Sequence, residues 1–157
     1  MSAPKSVVKV NKNGVTYTSN VAWCEWTIKE LSRAALRDVA KFVTKRFREN
    51  YYKVFKRKTG DAGRATKYTV YASEKTIYPH VDIGLKKGKV PGFYAYFQET
   101  GTSKQKRLGI LEKTVQENIQ TIIEIESKYL TALEDEAKAL ALIDSENDYE
   151  GSADGDE

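Results

Sequence analysis

Apolar residues in the first third of the chain recur at helical spacing. Ile28, Leu31, Ala35, Val39 and Phe42 fall on one stripe, which drifts on through Phe47, Tyr51 and Val54. Thr27 with Glu30 reads as a capping box and Trp26 with Leu31 as a hydrophobic staple. The pattern therefore predicts a first long helix from Thr27 to about Phe55. A second helical stripe, from about Gly109 to about Ile143, carries Leu111, Val115, Ile119, Ile122, Tyr129, Leu133, Ala137 and Leu140 close to heptad spacing. A helix of that length spans roughly 50 Å. A small sheet cannot cover it, so its far end is expected to project or to pack against another subunit.

Period-two alternation predicts the strands. Residues 7–18 read as a hairpin turning at Asn13-Gly14. In Lys67–Ala72, Tyr68, Val70 and Ala72 point inward. In Ile77–Leu85 the inward set is Ile77, Pro79, Val81, Ile83 and Leu85, with His80 and Asp82 outward. Phe93–Glu99 reads as a further strand, aromatic on both faces and therefore covered on both. Residues 60–66, GDAGRAT, read as a glycine-broken loop without the ending of a phosphate loop. The expected architecture is α+β: an antiparallel β-sheet packed by two long α-helices, with an N-terminal hairpin, over residues 1–143. Residues 144–157 are expected to form a disordered acidic C-terminal tail.

Charge sharpens this division. The chain has 26 Lys and Arg against 22 Asp and Glu, and seven of those acids, with no base, lie in 144–157. The other 143 residues thus carry +11. Lys29, Arg33, Arg37, Lys41 and Lys45 recur every fourth residue along the first helix. Like charges so spaced repel, and the ridge reads as a docking face for acidic protein or for nucleic-acid phosphate. A solvated helix face is the plainer reading of any single member. The N-terminus lacks a hydrophobic signal core and no apolar run is long enough to span a membrane, so neither export nor a membrane partner is expected.

The stretch Tyr96-Phe97-Gln98-Glu99-Thr100-Gly101-Thr102 joins an aromatic segment to a tight turn, a basic loop (Lys104, Gln105, Lys106, Arg107) and a helix start at Gly109-Ile110-Leu111. Together with Lys58-Thr59-Gly60 after the first helix, this order of parts resembles the tail-completion, or head–tail joining (neck), proteins of long-tailed bacteriophages. Those proteins carry an E-x-G-T turn and a TG loop. Here the prolines usual before the TG and at the helix start are missing. Over residues 27–130 the resemblance implies a virion protein at the head–tail interface, assembled in the host cytoplasm as a homo-oligomeric ring, by family likeness a hexamer. It would lie between the head connector or stopper and the tail tube or terminator. It implies no cofactor, no metal and no catalytic residue. The candidate contact residues are Arg33, Arg37, Lys41, Glu99, Thr100, Gly101, Thr102, Lys104, Lys106 and Arg107. Gly101 would allow the sharp turn, with the Thr100 and Thr102 hydroxyls bonding loop amides.

Two other readings stay beside it. One is a tail-terminator ring subunit. A basic nucleic-acid-binding module, or non-specific DNA contact, would suit the +11 body and ten tyrosines. Enzymatic chemistry has little to stand on. His80 and Asp82 could share a strand face, yet no nucleophile elbow accompanies them. Cys24, between Trp23 and Trp26, reads as a packed small apolar residue, and no two His or Cys have zinc spacing.

Overall fold

The computed structural model describes residues 4, 7–12, 15–56, 60–72, 78–86 and 91–150. In chain order the elements are β1 (Val7–Lys12), β2 (Val15–Ser19), α1 (Val21–Val54), α2 (Asp61–Ala65), β3 (Thr66–Tyr71), β4 (His80–Leu85), α3 (Tyr94–Thr100), α4 (Ile110–Glu117), α5 (Ile119–Ala132) and α6 (Glu136–Glu150). The fold is mixed and mostly helical. Its strands form two separate antiparallel pairs, β1–β2 and β3–β4. The chain makes two compact units, Leu36–Glu126 and Met1–Ala35 with Ser127–Glu157.

The Leu36–Glu126 unit is built around Phe47 and Tyr51 of α1, which pack with Ala62 of α2, Ala95 of α3 and Ile110 of α4. Tyr52, Phe55, Leu85, Leu108 and Leu111 close over this cluster. The alanines let two short elements, α2 and α3, approach the aromatic face of α1. Gly92, at φ +81°, carries the closest approach, since a Cβ there would sit 2.2 Å from the Asp61 carbonyl oxygen. Polar side chains tie the same elements together. The Tyr51 hydroxyl donates to Gln98 Oε1, Asn50 Nδ2 donates to the buried Thr114 hydroxyl at 3.1 Å, and the Gly63 amide donates to the Tyr52 hydroxyl at 2.9 Å. In the β3–β4 hairpin, Thr66 pairs with Leu85 and Tyr71 with His80. Val81, Ile83 and Leu85 are half-buried while His80 and Asp82 are exposed, as the alternation predicts, but Tyr68 and Pro79, expected to point inward, are exposed.

Burial, reinforced by the neighbouring Tyr94, Tyr52 and Glu99, pushes the Tyr51 phenol up to about 12 from an ordinary value of 10.0. A raised folded-state value means the neutral phenol stabilises the fold fully below pH 10. That contribution is lost as pH rises from about 10 to about 12. Urea midpoints at either end of this window should fall for the unaltered chain. The fall should be shallower for Tyr51→Phe.

In the Met1–Ala35 and Ser127–Glu157 unit, β1 and β2 pair antiparallel, with an irregularity between Val8 and Val10. Among the described residues, Leu31, Ala34 and Ala35 of α1, Tyr129 and Ala132 of α5, and Ala139 and Ile143 of α6 are buried apolar residues of this unit. Asp135 Oδ1 accepts from the Ala137 and Lys138 amides and so caps α6. The Lys138 amide bond is the chief cause of a carboxyl value held below the usual range.

Several expectations are corrected. Phe93–Glu99 is not a strand. It becomes α3, because Ala95, Gln98 and Glu99, at helical spacing, are the residues that face inward and bond, leaving Phe93, Tyr94 and Phe97 exposed. Among the described residues, one sheet packed by two long helices is therefore replaced by two separate strand pairs and six helices. The second long helix is three. Asn118 leaves helical geometry and donates through its side chain to the Thr114 carbonyl, ending α4, and the turn before Asp135 separates α5 from α6. The capping box at Thr27 does not form. α1 opens at Val21 on the Asn20 carbonyl, and the Thr27 hydroxyl donates back to the Trp23 carbonyl. The loop expected over 60–66 contains the helical turn of α2. Ile28 lies off the buried stripe and Cys24 is exposed. α6 runs on past Ile143 to Glu150. Asn13-Gly14, Lys58-Thr59, Ile77 and residues 151–157 lie outside the described residues.

Candidate functional site

The turn singled out in the sequence is a clasp. α3 ends at Thr100, and Gly101 follows at φ +80°, ψ 169°, its amide donating to the Phe97 carbonyl. A Cβ at Gly101 would come 2.9 Å from the Arg107 amide nitrogen. Only glycine accepts both that conformation and that approach. The chain then loops through 101–109 and returns to the same place. The Leu108 amide donates to the Gln98 carbonyl and the Gly109 amide to the Glu99 carbonyl.

Glu99 completes the closure. Its Oε2 accepts from the Ile110 amide at 2.9 Å and its Oε1 from the Leu111 amide at 2.7 Å. These are orphan donors at the N-terminus of α4. The N-cap residue, Gly109, lies in the left-handed region and has no side chain to offer. A carboxylate from the preceding helix does the capping instead, and its charge complements the helix dipole.

Inside the loop, the amides and carbonyls of Thr102 and Gln105 pair with each other. The Thr102 hydroxyl accepts from the Lys104 and Gln105 amides, as expected. The Thr100 hydroxyl does not serve the loop. It donates to the Tyr96 carbonyl within α3. What remains outward is cationic, since Lys104, Lys106 and Arg107 are all exposed, Arg107 in an ion pair with Glu112. The result is a compact loop with closed ends and a positive tip.

The α1 ridge is a different object. Arg33 pairs with Glu30, whose side chain is only 7% exposed. Arg37 and Lys41 are half-buried and engaged by neighbours. Reversing Arg33 would leave the Glu30 carboxylate buried and uncompensated, so charge reversal along the ridge would test folding before docking. The structure thus brings Glu99, Thr100, Gly101, Thr102, Lys104, Lys106 and Arg107 together in one device. Arg33 falls in a separate unit from that loop.

Sequence reasoning missed Gln98 as the partner of Tyr51, and Asn50 as the partner of Thr114. Nothing local signals either pairing. His80 is exposed, stacked on Tyr71, with Nδ1 2.9 Å from the Tyr78 carbonyl. Among the described residues no group of His, Cys, Asp and Glu is placed to hold a metal ion. Comparison of the chain with protein-family models, with curated proteins and with solved structures finds no match.

Proposed function

We propose that this chain is a structural subunit of the head–tail junction of a tailed bacteriophage, a tail-completion or neck protein acting as a homo-oligomeric ring between head connector and tail tube. The observation that carries the reading is the clasp at Glu99-Thr100-Gly101-Thr102. The residues behind the family resemblance are the ones that close the loop. Glu99 and Gly101 are used up internally, and Lys104 and Lys106 are left outward on a fixed base. A loop held at both ends loses little entropy on docking, which suits a repeated contact between identical subunits. Head-to-tail contacts of this kind must close into a ring or run on as a filament. Among the described residues no helix is long and apolar enough to cross a membrane, and the proposed setting requires none.

Lys104→Glu with Lys106→Glu tests the role. Both side chains are exposed, so the melting midpoint should stay within about 2 °C of the unaltered chain. Light scattering should then find the variant monomeric where the unaltered chain forms a ring. A variant that assembles as before would remove the loop from the contact.

A further inference from the structure

Two adjoining clefts in the Leu36–Glu126 unit collect cations from three separate segments. The first, of about 400 Å³, is lined by Lys45 and Arg48 of α1, by Tyr52 and by Gly63 and Arg64 of α2. The second, of about 280 Å³, shares Arg64 and adds Lys67 of β3 and Lys86 beyond β4. Lys45, Arg48, Arg64, Lys67 and Lys86 are all exposed. Two acids lie along this track. Glu49 is turned onto Arg46, and Asp61 reaches Arg64 at 3.4 Å. The remaining four cations have no ion-pair partner among the described residues.

We propose that these clefts form a binding face for the phosphate backbone of duplex DNA, contacted without reading the bases. The chemistry selects against the other occupants. A small anion requires a desolvated site, whereas every cation here is exposed. Single-stranded nucleic acid needs open aromatic faces for stacking. The ring in the first cleft is Tyr52, whose hydroxyl is held by the Gly63 amide. An acidic peptide would meet the same cations, but the second cleft gives an anchoring side chain only Ala65 and Pro91 to pack on. Exposed cations lining two open clefts that share Arg64 can meet several phosphates of one duplex, and counterion release supplies the affinity. The inference stands apart from the ring proposal, because a monomer carries the whole face.

The test is fluorescence anisotropy of the full chain with a labelled duplex of about 20 base pairs, between roughly 50 and 200 mM NaCl. With four to five phosphates engaged, the logarithm of the binding constant should fall against that of salt with a slope of about −4. Lys45→Glu with Arg48→Glu and Lys67→Glu should weaken binding by about 100-fold or more and flatten the slope by about 3. If that variant does not fold, Lys45→Gln with Lys67→Gln should flatten it by about 2. Lys104→Glu with Lys106→Glu should leave the slope in place. A slope near zero, or cleft variants that bind like the unaltered chain, overturns the proposal. So does a variant that keeps DNA affinity and loses affinity for a peptide of residues 144–157, which would assign the clefts to the acidic segment.

Discussion

Phe47→Ala should destabilise the chain by about 3–5 kcal/mol. That would lower the melting midpoint by roughly 10 °C or more. Phe47 is among the largest fully buried side chains, with its ring 5.7 Å from that of Tyr51. The void cannot close easily. Two of its neighbours, Ala62 and Ala95, have no more side chain to give. The elements that carry them are pinned by the Gly92 approach and by the bond between Tyr51 and Gln98. Thermal unfolding followed by near-ultraviolet circular dichroism would measure the loss. A cost under about 1 kcal/mol would mean that α1 is not the centre of this core.

Glu99→Ala should cost about 2–4 kcal/mol, the second largest effect. Two charge-assisted bonds to the α4 amides disappear together, each of a kind contributing about 1.5–3 kcal/mol. The Ile110 amide is left in a buried position with no acceptor. Glu99→Gln keeps one carbonyl oxygen and should lose about half as much. A second readout separates the clasp from general stability. Freed at its base, the 101–109 loop should become a trypsin site at Lys104, Lys106 and Arg107, cut much faster than in the unaltered chain. Equal cleavage rates in Glu99→Ala and the unaltered chain would show that Glu99 does not hold the loop.

What the sequence shows depends on how local the determining physics is. The β1–β2 and β3–β4 pairs were legible because alternation over five or six residues is a local signal, and the phase of Val81, Ile83 and Leu85 came out as expected. The end of α1 and the special role of Gly101 were legible for the same reason. α3 was not. Five aromatic or apolar residues in a row satisfy both a strand and a helix, and the choice rests on what Ala95, Gln98 and Glu99 meet from α1 and α4. The breaks at Asn118 and Asp135 turn on single side chains bonding nearby backbone, which an apolar stripe of heptad spacing conceals. The cationic clefts were hidden most deeply. Arg48, Arg64 and Lys86 belong to three segments that only tertiary packing assembles, and of the conspicuous ridge only Lys45 joins them, whereas Arg33, Arg37 and Lys41 turned out to be half-buried and engaged.

The proposed role requires that copies of this chain recognise one another through a fixed loop and stop at a closed number. Native mass spectrometry of the purified full chain tests that most directly. A single assembly at an integral multiple of the 17.8 kDa subunit, lost in Lys104→Glu with Lys106→Glu, is the predicted result. A strictly monomeric chain at high concentration, or an open ladder of masses that ignores the loop substitutions, would contradict it.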